Sequence, residues 1–375
     1  MRKSQSYSLT EGPLLPAIVR FSIPLMLSNV LQVLFNMSDI AVVGRFAGAQ
    51  ALGSVGSTTI LVTLFTGFLI GMGSGVLSAS GDTRRPLLFL SIAGALNVAL
   101  NLLFVIVFRM AEAGVALASV IAQYVSAGLI LLSLARRHDA IGLRLGRLRI
   151  SSHKCRLVLG ISIPSGLQNA IFAIANLFIQ AGVNTFDAVM VEGNAAAANA
   201  DGLVYDVMAA VYTACASFIS QNYGAGNRER VLRSYVICLG LSFGIAAVMS
   251  GFLVLFGRAF LSLFTKDEAV AEAGLIRLRV MGCSYAFSAL MDCTIAASRG
   301  LGRSLAPTVI VILGSCVFRV VWVFTVFAHF HTIESLYLLY IFSWTITGVA
   351  ELLYFRKCYR EQMAALDTGL RPETA

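Results

Sequence analysis

The chain is poor in charge. Only 13% of its 375 residues are Asp, Glu, Lys or Arg, roughly half the share of a soluble domain. Seven cysteines (Cys155, Cys215, Cys238, Cys283, Cys293, Cys316 and Cys358) form no C-x-x-C pair and show no zinc spacing, which excludes a disulfide-stapled scaffold and a zinc module. Neither G-x-S-x-G, H-E-x-x-H nor the phosphate loop G-x-x-x-x-G-K-[ST] occurs, and His138, His153, His329 and His331 fall in or near loops. The chain therefore reads as no enzyme and calls for no cofactor. Apolar residues are what it has in plenty: they make up 58% of the sequence, and the mean hydropathy is +0.82. Disorder is excluded, and an integral membrane protein is implied.

A membrane helix needs about 20 mostly apolar residues. Ten such stretches run approximately over 17–43, 51–76, 87–108, 114–134, 158–182, 195–217, 235–256, 274–297, 306–327 and 336–354. The first is too long for a signal peptide and lacks an A-x-A cleavage site. The net charge of +9 does not point to nucleic acid, because the basic residues flank apolar runs. Twenty of the 28 Lys and Arg residues fall in one set of ends and loops and six in the alternate set (Arg45, Arg109, Arg258, Lys266, Arg277 and Arg279), leaving Arg20 at a span entrance and Arg319 within a span. The expectation is a multi-pass protein of the cell (inner) membrane, monomeric, with both termini cytoplasmic.

The segment Ser22-Ile23-Pro24, with Leu27, Asn29 and Asn36, recurs 140 residues later as Ser162-Ile163-Pro164 with Leu167, Asn169 and Asn176. Each copy opens a long span, where proline bends a helix or marks its first turn. A weaker echo pairs Gly81 and Pro86 with Gly302 and Pro307, 221 residues apart. The growth in offset leaves about 81 residues, roughly 217–297, with no counterpart in the first half. An all-α protein of two pseudo-symmetric helical lobes follows, with four spans plus six. Residues 1–150 form the first lobe and linker, 151–360 the second, and 361–375 a cytoplasmic tail.

Ionisable residues inside spans mark function by default. Asp39, Asp206, Asp292 and Arg319 stand out. Asn36 and Asp39 share a helix face; Asp39 is either a functional carboxylate or one satisfied near the interface by Arg45. Asn97 and Asn101, at i and i+4, supply hard oxygen ligands for a small cation such as Na⁺ or join helices by their amides, and Ser119 adds a hydroxyl. Asp292 faces a cavity or pairs with Arg319. Tyr205 and Asp206 suit an organic cation or pack against a neighbouring helix.

At these residues the chain resembles the multidrug and toxic compound extrusion (MATE) family of cation-coupled antiporters. The resemblance is carried by SIPLMLSNVLQVLFNMSDIAVVGRFAG (22–48), ASGDTRRPLLF (79–89), GNAAAANADGLVYDVM (193–208), SQNYGAGNRERV (220–231) and SRGLGRSLAP (298–307). It implies two helical bundles around a central cavity and export of small cationic amphipathic compounds in exchange for Na⁺ or H⁺. It also implies that Asp39 is the essential acid of the first helix, that Asn97, Asn101 and Ser119 belong to the same coupling site, and that Asp292 is an acidic position of the second half. The third and fourth helices of the family's first half are the ones absent here. Two alternatives stand beside the antiporter: a flippase for lipid-linked cargo, which would gather cationic residues in its cavity, and a non-transporting remnant with an internal deletion.

Overall fold

The computed structural model describes residues 9–46, 70–137 and 151–367, with scattered positions between 139 and 149; the side chains at 36–46, 111 and 112 lie outside the description. Every regular element among the described residues is a helix. Nine are long and apolar enough to cross a membrane. They are α1 (Leu14–Phe46), α3 (Arg84–Leu102, continuing to Val107), α4 (Ala111–Ala135), α5 (Ser152–Val183), α6 (Ala188–Gly224), α7 (Arg228–Leu261), α8 (Glu268–Gly300), α9 (Leu305–Phe330) and α10 (Ile333–Asp367). A shorter apolar helix, α2 (Ile70–Ala79), holds the end of the expected second span, the rest of which lies outside the described residues.

The helices outrun their apolar cores. At 1.5 Å per residue, the 35 residues of α10 reach about 50 Å, well beyond a hydrocarbon layer of about 30 Å. Once nucleated, a helix propagates past the apolar run for as long as its residues tolerate it, so hydropathy alone placed these ends too early. Both repeat prolines lie inside helices, Pro24 in α1 and Pro164 in α5, which removes the first-turn alternative.

The chain divides into two compact bodies, one containing Val19–Arg149 and the other Ile150–Ala375 together with Thr10–Ile18. In the first, Leu77, Ile130 and Leu134 form a buried cluster joining α2 to α4. The loop after α2 is pinned to the end of α4 by a 2.6 Å ion pair between Asp82 and Arg137, each with a side chain only 9% exposed. The ring of Phe35 on α1 lies over Gly94 of α3, where a Cβ would come within 1.9 Å of it.

The second body holds six long helices, including α7 and α8 in the stretch expected to be extra. Its core is the crossing of α6 and α8. A Cβ on Gly193 would stand 2.7 Å from the Val270 carbonyl oxygen, and one on Gly300 would stand 2.9 Å from that of Ala216. Backbones approach this closely in membranes only where side chains are small. Helix α9 is irregular: its turns widen at Ile312–Val317 and again at Val323–Phe327.

Candidate functional site

Polar side chains gather in two places, one in each body. In the first, Asn97 and Asn101 project from one face of α3, as their spacing requires. The Nδ2 of Asn101 donates to Oδ1 of Asn97 at 3.2 Å, and Nδ2 of Asn97 donates to Oγ of Ser119 on α4 at 3.1 Å. Both asparagines are buried. Three residues singled out in the sequence thus form one hydrogen-bonded chain. Asn36 and Asp39 lie on α1, and their side chains are outside the described residues. Phe35, next to Asn36 in sequence, covers Gly94, less than one turn before Asn97.

The second place is a cavity of about 580 Å³ walled by α5, α6, α8, α9 and α10, of a size that suits a drug-like molecule. Tyr205 and Asp292 line it, as does Asn176, the repeat counterpart of Asn36, and Ile179, the counterpart of Asp39. Asp206 is not among the lining residues; the α6 carboxylate that reaches the cavity is Asp201, just over one turn earlier. Asp292 accepts a hydrogen bond from Oγ of Ser288 at 2.9 Å. Among the described residues no ion pair within 4.0 Å joins Asp292 to Arg319, so the expected alternative of a direct salt bridge is corrected. Arg319 leaves α9 between its two wide turns and meets α5 and α10 instead.

One expectation about charge is overturned. Arg277, counted among the alternate-loop cations, is buried in α8 and lines the cavity. It pairs with Asp201, and its Nη1 donates to Oδ1 of Asn194 at 2.7 Å. Tyr285 also donates to Asp201, and Tyr337 donates to Asn194 at 3.0 Å. A single chain of polar contacts therefore joins α6, α8 and α10 across the cavity floor. Arg319 is then not the sole cation buried in a span. Glu351 on α10 is fully buried as well, and neither carboxylate oxygen has a hydrogen-bonding partner among the described residues. Asp201, Arg277 and Glu351 all fall inside the apolar runs, which was the signal available for finding them.

The comparisons agree with this architecture. A family profile described as MatE matches residues 24–84 and 164–325, two segments that begin at the repeated Pro24 and Pro164. A probable multidrug resistance protein, YpnP of Bacillus subtilis, is 26% identical over 365 residues, covering 76% of this chain and 82% of that one. An FAD transporter of Shewanella oneidensis is 25% identical over 224 residues, covering 58% of this chain and 49% of that protein. A solved multidrug resistance MATE transporter in its outward-facing conformation superposes with a TM-score of 0.83 at 19% identity, over 98% of this chain and 99% of that one.

Proposed function

The chain belongs to the MatE family of multi-pass membrane transporters, and on that premise we propose that it exports small amphipathic organic compounds in exchange for Na⁺ or H⁺, with Asp39 as the coupling carboxylate. The observation that carries this reading is the buried chain Asn101–Asn97–Ser119. Amide and hydroxyl oxygens held in a dry helix interface are the ligands a small cation takes beside a carboxylate. The Phe35–Gly94 contact brings α1 close to α3 near that chain. In the repeat, the positions matching Asn36 and Asp39 border a cavity, which is where a coupling residue has to stand.

Coupling needs an occupancy that the two transport states feel differently. A cation on Asp39 cancels its charge, so the cost of carrying a carboxylate through low dielectric disappears in one half of the cycle. Each charge that enters down a potential of 100 mV supplies about 2.3 kcal/mol. Tyr205 and Asp292 offer the basic group of a cargo an aromatic face and a carboxylate. The orientation follows from the loop charges: both termini cytoplasmic, in the cell membrane, with the chain acting as a monomer.

The test is ethidium efflux from drug-sensitive cells. Asp39→Asn keeps the size and removes the charge, so efflux should fall at least tenfold with expression and membrane insertion unchanged. Asn101→Ala should give a milder loss. Export by Asp39→Asn at the parental rate would remove Asp39 from the coupling role.

A further inference from the structure

The guanidinium of Arg319 is the most expensive group in the second body, and its partners do not account for it. Its Nη1 donates to Oδ1 of Asn176 at 3.1 Å, and its Nε donates to Oγ of Ser343 at 3.4 Å. Its Nη2 has no hydrogen-bonding partner among the described residues. The side chain is 1% exposed and borders the cavity. No carboxylate stands within ion-pairing distance of it among the described residues, whereas Arg277, the other arginine on the same wall, has Asp201.

Aromatic rings take part of the load. The Arg319 guanidinium carbon lies 4.7 Å from the Tyr340 ring centroid, 5.0 Å from Phe172 and 5.6 Å from Trp344. Such contacts hold a cation in place but do not neutralise it. A buried cation without a counter-ion costs several kcal/mol, and a planar fork of N–H donors matches an oxyanion better than any other ligand. Asn176 adds to the match: with its oxygen committed to Arg319, no hydrogen bond of its Nδ2 is recorded among the described residues. The widened turn at Ile312–Val317, a distortion that recurs at functional sites, precedes Arg319.

We propose that this cavity binds the carboxylate or phosphate of an aromatic organic acid, with Arg319 and Asn176 as donors and the surrounding rings packing on its body. The inference deepens the transport reading by naming a cargo group, and Asp292 faces the same cavity for a basic group. It rests on the transport reading only for the site's role as cargo site. Binding is measured on the purified chain, so its failure leaves Asp39-driven efflux standing, and failure of efflux leaves binding measurable.

The test is equilibrium dialysis of the full chain in a neutral detergent against four probes that share one ring system. These are 1-naphthyl phosphate, 1-naphthoate, neutral 1-naphthamide and 1-naphthylmethylammonium. The wild-type chain should hold at least one of the two anions ten times more tightly than the amide, and the tighter anion tells phosphate from carboxylate. Arg319→Gln should erase that preference while the amide and ammonium probes keep or gain affinity. Arg319→Lys should retain part of the preference. Equal binding of anions and amide by the wild type, which needs no variant, would overturn the proposal. So would a parallel loss of all four probes in both folded variants, the result expected if Arg319 only braces α9 against α5.

Discussion

Arg277 and Asp201 show how one side chain comes to organise three helices. Each stands on a different helix of the α6–α8 crossing, and the Arg277 side chain is only 7% exposed. Removing one partner of such a pair leaves a charge stranded in low dielectric, whereas removing both leaves none. Arg277→Met should therefore destabilise the second body by about 3 kcal/mol, read as a lowered thermal midpoint in detergent. Asp201→Leu combined with Arg277→Met should recover part of that loss, because the stranded carboxylate is gone. A double variant no more stable than the two single losses added together would show that the pair is not coupled.

At the scale of the helix, glycine placement decides what tolerates substitution. Gly193 faces the backbone of α8, and a methyl group there has nowhere to go, whereas a Cβ on Gly240 of α7 meets nothing within 4 Å. Gly193→Ala should cost about 1–3 kcal/mol through forced separation of α6 from α8. Gly240→Ala should instead gain up to about 1 kcal/mol from helix propensity alone. The two variants, which make the same chemical change, should shift the melting temperature in opposite directions. Helices of this kind were legible in the sequence because lipid demands long unbroken apolar runs, and Asn97, Asn101 and Ser119 were legible because helical spacing puts polar residues on one face. The cavity floor was harder to see. Arg277 is polar by composition and near a span end by position, and only the α6–α8 crossing reveals that Asn194 and Asp201 stand ready to receive it. Asp206 and Asp201 have the same chemistry and lie on one helix, five residues apart; the angle between them, fixed by packing, decides which one reaches the cavity.

For the whole molecule, the count of basic residues makes a prediction that does not depend on any contact. Asn227, between α6 and α7, should report as cytoplasmic in a reporter fusion, and Asp187, at the start of α6, should report as external. An external signal at Asn227 would break the ten-span reading. The side of the membrane is written in loop charge, which survives any rearrangement of the helices. The pairing of polar groups within each body is written in packing, which hydropathy does not see.

The wide turns of α9 have a consequence for how its sequence can change. A widened turn holds one residue more than a regular one. Losing a residue from Ile312–Val317 would let an ordinary helix form, with membrane crossing and hydropathy intact. Everything beyond would rotate by about 100°, the angle per residue of a 3.6-residue turn, and Arg319 would leave the cavity wall. Among homologues, a single-residue deletion here changes more than a substitution at most of its positions, so the length of this segment is as much a mark of shared chemistry as the identity of its side chains.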